Sequence, residues 1–271
     1  MNHSNTDDPA ELRFVTYLSP SLPLALFEAV VDHVRRHLGY DASLRAQTSV
    51  SGPGRGAEDP FSEGEADVGF VCSPSYTWLR ERRPPPAELL GVAPVFRDER
   101  NGGRPVYFCD VIARRDTPVR TFVDLRGGSW TFNDPCSLSG YHGLLKKLTE
   151  MGTDEGFFGR LIHSGSHLRS MDLVAGGEAD AASIDSNVLA IRFGAMPELQ
   201  RALRVVESWG PFPVQPVIVR STLSTKLKDA LREVLLAADS DARTRSLLAD
   251  YGLERFDYVD HEHYTPEKPV P

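Results

Sequence analysis

The sequence predicts an α/β chain with mostly parallel strands, each sheet flanked by helices. Three observations predict it. Short β-like runs alternate with helical patterns along the 271 residues, the order in which parallel sheets are threaded. The strand-turn-helix grammar starts afresh near residue 129. Two Gly-Glu-Ala-Asp units, at residues 64–67 and 177–180, each end a helix and open a strand at the same relative place in either half.

In chain order, "LRFVTYL" reads as a strand and "LALFEAVVDHVRRHLG" as a helix stopped by Gly39. A strand near "ASLRAQT" leads into the Gly-, Ser- and Pro-rich loop "TSVSGPGRGAEDPFSEGE", expected to be a flexible surface loop facing a cleft. "ADVGFVC" follows as a buried strand, and the helix "SYTWLRERR" ends at the proline run 84–86. "LLGVAPVF" and "PVYFCDVIAR" are strands, and "TFVDLRG" is a short helix. In the second half "SWTFND", "GRLIHSG" and "ADAASID" are strands. They alternate with the helices "SLSGYHGLLKKLTEMG", "SHLRSMDLVAGGE" and "SNVLAIRFGAMPELQRAL". Strands "LRVVESW" and "VQPVIVR" and helices "TKLKDALREVLLAA" and "ARTRSLLADYG" close the chain.

Composition excludes several functions. With 41% hydrophobic and 25% charged residues the chain is an ordinary globular protein, long enough for two modest domains or one large α/β domain and without a membrane-inserting span. A net charge of −8 argues against nucleic acid as a partner, so a bound anion has to be held by local geometry. The lead "MNHSNTDDPAELRF" lacks the basic and apolar regions of a secretory signal. As written the chain reads as cytoplasmic, and as periplasmic if a signal was removed. Cys72, Cys109 and Cys136 are isolated, with no CxxC, which suggests neither a disulfide framework nor a zinc site. His261 and His263 in the tail read as solvated. No metal and no cofactor is expected.

The chemistry concentrates in "FNDPCSLSGYHGLL", residues 132–145. A strand ends, Pro135 blocks the helix from extending backward, and Ser137 or Ser139 stands where an N-cap is wanted. The first helix amides then point outward. With Ser hydroxyls and the positive end of the helix dipole they form an anion site that needs no net positive charge, and Gly140 permits close approach. A plain capped helix is the alternative. "HSGSHLRSM" repeats the arrangement around His167, and Asp185 ends the next strand on the same rim, either as a helix cap or as a pocket wall. Tyr107, in the segment joining the halves, is either core or a lid over a ligand. Cys136 beside a helix N-terminus could be an activated nucleophile.

These stretches resemble the phosphate, phosphite and phosphonate substrate-binding proteins of ABC transporters. "FNDPCSLSGY" looks like that family's phosphonate loop, and "SGSH" and "GGEADAASID" follow in the right order. The resemblance implies a two-lobed clamshell of the type II periplasmic-binding-protein fold, with a small-molecule anion between lobes formed by residues 1–106 plus 213–271 and by residues 107–212. It implies that Ser137, Ser139 and the backbone of Gly140 and Tyr141 hold the oxyanion, with Tyr107 and His167 completing the shell, and an ABC permease as partner if the chain is exported; Leu138 within the loop and Asp185 on the same rim are the remaining candidate ligand-binding residues. Two departures stand out. Leu138 replaces a hydroxyl residue, and Asn187 and Gln215 stand where aminoalkylphosphonate binders carry acids. The competing expectation is a cytosolic enzyme on the same scaffold, acting on a small carboxylate or phosphorylated metabolite through Asp185, His167 or Cys136.

Overall fold

The structure, a computed structural model, describes residues 8–265; the positions before and after, including part of the acidic lead, lie outside the described residues. The first half runs β1 (Glu11–Thr16), α1 (Leu24–Leu38), β2 (Asp41–Ala46), β3 (Val68–Phe70), α2 (Ser73–Glu81), β4 (Ala87–Leu89) and β5 (Val92–Phe96). Then come β6 (Val106–Arg114), β7 (Ser129–Phe132), α3 (Gly143–Glu150), β8 (Arg160–His163), α4 (His167–Ala175), β9 (Ala181–Asp185), α5 (Ser186–Ala195), α6 (Pro197–Ala202) and β10 (Leu203–Pro213). The chain ends with β11 (Val217–Arg220), α7 (Thr225–Leu236), α8 (Ala242–Ala249) and β12 (Leu253–Tyr258).

Two five-stranded sheets result, in the orders β2-β1-β3-β11-β4 and β10-β6-β9-β7-β8. Both are mixed. Strands joined by helical crossovers pair in parallel, β1 with β2 and β3, and β7 with β8 and β9. The strands that arrive from the other sheet, β6 and β11, enter antiparallel. The chain passes between the sheets at residues 105–106 and 213–214, where the Val214 amide donates to the Pro105 carbonyl at 3.0 Å.

The sheets pack by the expected periodicity. Along β6, Val111 and Ala113 face an aromatic cluster that holds Phe122, Trp130, Phe157 and Phe158, while Ile112 faces the larger core. In the first sheet, Asp67 is wholly buried and accepts from Arg13 Nε at 2.9 Å and from Arg220 Nη2 at 2.9 Å, tying β1 and β11 to the entry of β3.

Three expected elements differ. "LLGVAPVF" breaks at Gly91, whose φ of 87° turns the chain, so that β4 pairs with β11 and β5 pairs with β12, a strand the sequence reading left out. The long helix after Asp185 divides at Met196, because Pro197 cannot continue it and opens α6 instead. The first Gly-Glu-Ala-Asp unit follows a turn, not a helix. Among the described residues no helix is long and apolar enough to cross a membrane.

Candidate functional site

The segment between β7 and α3 does not begin as an ordinary helix. Residues Leu138–His142 form a π turn, in which the Tyr141 and His142 amides both donate to the Ser137 carbonyl, at 3.2 and 3.0 Å. Ser137 Oγ accepts from the Gly140 amide at 3.1 Å, and the Leu138 amide donates to Cys72 Sγ at 3.2 Å. The expected row of outward, unpaired amides is therefore corrected: Leu138, Gly140 and Tyr141 spend theirs inside the protein. Gly140 also serves another purpose than expected. A Cβ there would collide with Oδ1 of Asn133, so the close approach is that of a neighbouring side chain.

Hydroxyls remain. Ser139 Oγ lies 3.0 Å from His167 Nε2, and Ser183 Oγ fixes the Ser139 carbonyl from below at 2.6 Å. His167 opens α4, whose cap is Ser166, and its own amide donates to Ser21 Oγ at 3.2 Å. Burial pushes the His167 imidazole down to about 3, so it stays neutral, and its Nδ1 has no partner among the described residues. Asp185 ends β9 and caps α5: Oδ1 accepts from the Asn187 and Val188 amides at 2.7 and 3.4 Å, and Oδ2 accepts from Gln215 Nε2 at 2.6 Å. Burial outweighs those three donors and pushes its carboxyl up to about 6.

Ser137, Ser139, His167 and Asp185 meet in one cavity of about 30 Å³. The opposite wall comes from the first sheet's loops, with Tyr17 and Ser21 after β1, Ser51 in the Gly-rich loop, and Cys72 before α2. Gln215, on the return crossing, completes it. Among the described residues no lysine or arginine lines the space. Contacts bridge it: Ser51 Oγ donates to Asp134 Oδ2 at 2.5 Å, Leu138 N meets Cys72 Sγ, and Trp78 of α2 sits edge-on to His142 at 5.8 Å.

The other anticipated residues lie elsewhere. Tyr107 is fully buried behind the cavity near Ser139, its hydroxyl without a partner of hydrogen-bonding geometry among the described residues and its pKa raised well above the ordinary range by burial. Leu138 packs in the large core. Tyr141 turns away, its ring against Phe132 and its hydroxyl donating to Glu155 Oε1 at 3.0 Å. Cys136 is outside the cavity wall, and burial, helped by the Asp134 carboxylate, pushes its thiol up to about 11. The expectation of a thiolate activated by a helix N-terminus is overturned, since desolvation dominates. The first-half wall went unread although "YLSPSL" is itself a serine-bearing strand end that opens a helix, the same signal used in the second half.

One metal-like grouping lies apart from this cavity. Ligand atoms of His33, His37 and Asp241 fall within 4.8 Å of one another. His33 already engages Thr244 Oγ1 and the Val234 carbonyl with its two ring nitrogens, and Asp241 accepts from Arg36. That leaves no free lone pair on His33 for a metal.

Comparison with known proteins adds an independent line. A family model described as "ABC transporter, phosphonate, periplasmic substrate-binding protein" matches residues 12–264. Among solved structures, a binding protein component of an ABC phosphonate transporter from Pseudomonas aeruginosa superposes with TM-score 0.79 at 19% identity, covering 95% of this chain and 84% of that one. PhnD1 from Prochlorococcus marinus, in complex with methylphosphonate, gives 0.74 at 14% identity and 95% of both chains. XAC2383 from Xanthomonas citri, bound to ATP, gives 0.67 at 21% identity, covering 94% and 93%.

Proposed function

Because the chain belongs to the phosphonate substrate-binding protein family of ABC transporters, we propose that its cavity holds a small phosphorus oxyanion of the phosphonate class. The observation that carries this reading is the placement of two serine hydroxyls, a neutral histidine and a buried carboxylate at strand ends between two sheets. Ser137 and Ser139 donate to ligand oxygens, and His167 orients Ser139. Asp185 has no cation to offset it. A dianion beside it would meet only repulsion, whereas a singly protonated oxyanion donates its P–OH to the carboxylate. The Prochlorococcus neighbour holds methylphosphonate and the Xanthomonas neighbour ATP, and a cavity of about 30 Å³ favours the smaller of the two.

Residues 1–106 with 213–271 form one lobe in this reading, and residues 107–212 the other. They close by a hinge at the two crossings. In this reading the protein works in the family's setting, the periplasm beside an ABC permease.

Calorimetric titration with phosphate, phosphite and methylphosphonate tests it. Methylphosphonate binds the wild-type protein one to one, and Ser139→Ala and His167→Ala each weaken it roughly tenfold or more, the scale of a lost hydrogen bond to a charged group. Absence of binding to all three anions refutes the reading.

A further inference from the structure

Behind the polar cavity lies an apolar one of about 20 Å³. Leu26, Phe27 and Val30 of α1, Phe70 of β3 and Phe256 of β12 line it, in the core of the first sheet. Leu18, Leu22 and Gln215 belong to the walls of both spaces and form the partition between them. Its only polar wall residue among the described residues is Gln215, more than nine-tenths buried, whose Nε2 is taken by Asp185 and whose Oε1 has no partner.

This back-to-back pair has the outline of a ligand with one polar end and one apolar end. We propose that the ligand is a phosphonate with a short apolar substituent, ethyl in size, whose oxygens occupy the polar cavity while its terminal carbon enters the apolar one past Leu18 and Leu22. The size follows from the space. It exceeds the roughly 10–15 Å³ that one water-sized group needs and falls far short of the roughly 150 Å³ cavity that takes benzene. An ammonium at the end of the chain would instead enter a space with no carboxylate in its wall, at a large desolvation cost.

The inference rests on the phosphonate reading above, and one titration series separates the two. Wild-type protein is titrated with phosphite, methylphosphonate, ethylphosphonate and 2-aminoethylphosphonate. Ethylphosphonate binds about fourfold more tightly than methylphosphonate, the worth of one buried methylene, and 2-aminoethylphosphonate binds at least about tenfold more weakly than ethylphosphonate. Val30→Leu fills the apolar space with one added carbon, abolishes the advantage of ethyl over methyl and leaves methylphosphonate binding intact. If Val30→Leu does not fold, the wild-type series decides alone. Methylphosphonate binding with no gain for ethylphosphonate overturns the apolar-chain inference and leaves the phosphonate reading standing; no binding by any member of the series overturns both.

Discussion

Asp185 shows how one residue serves the fold and the site at opposing costs. Its folded pKa of about 6 lies above the 3.8 of the exposed group, so the folded protein holds this proton more tightly than the unfolded chain. The associated stability is fully present below about pH 4 and is lost as pH rises through about 6, a difference of roughly 3 kcal/mol at most. Asp185→Asn keeps an oxygen for the Asn187 and Val188 amides and removes the buried charge. Urea unfolding of the ligand-free protein is expected to show the variant about 1–2 kcal/mol more stable than wild type at pH 8, with the gain shrinking at pH 4. A loss of stability at pH 8 would mean that the carboxylate is compensated by its donors. The cap was legible in the sequence, because an Asp that ends a strand before a helical pattern stands where an N-cap is wanted, whether or not it also lines a pocket. The fate of Cys136 was not, since burial and a carboxylate two residues away set its pKa, and neither depends on helix position.

At the scale of elements, the repeated Gly-Glu-Ala-Asp unit has a physical meaning that spacing alone only hinted at. In each sheet its Asp accepts the backbone amide at or near the start of the neighbouring strand, Asp67 from Arg13 at 2.9 Å and Asp180 from Ser129 at 2.7 Å. Each carboxylate thereby sets the register of a parallel pair, β1 with β3 and β7 with β9. The first is the costlier to lose, because Arg220, whose side chain is 12% exposed, also pairs with Asp67. Asp67→Ala is expected to cost about 3 kcal/mol in chemical denaturation, within the range for breaking a buried pair. Asp180→Ala, at a more exposed position, should cost about 1 kcal/mol. Equal costs would show that the arginines contribute nothing. The pattern of strands and helices was legible because it depends on local periodicity. The π turn after Ser137 was not: its hydrogen bonds go to Cys72 and to the Ser137 carbonyl, and which amides are spent depends on a sulfur from the other sheet.

Across the whole molecule, the loops of the two sheets meet through contacts that do not all belong to the cavity. The Trp78–His142 pair is outside its wall, and Ser51 to Asp134 is on its edge. If the lobes swing as proposed, such contacts set the fraction of ligand-free protein already closed, and the apparent dissociation constant rises as that fraction falls. Trp78 isolates this effect, being half-buried and touching His142 beside the second sheet without lining the cavity. Trp130 and Trp209 belong to the aromatic cluster of the second sheet, away from the contacts between the two sheets' loops, and so should report little on closure. Titration with methylphosphonate is therefore expected to change the tryptophan emission of the wild-type protein, and Trp78→Phe should remove most of that change while binding persists by calorimetry. Trp78→Ala, which deletes the edge contact altogether, should weaken binding by about three- to tenfold, the equivalent of roughly 1 kcal/mol of aromatic pairing. An undiminished emission change in Trp78→Phe would place the ligand-driven motion elsewhere and count against closure across α2 and the π turn.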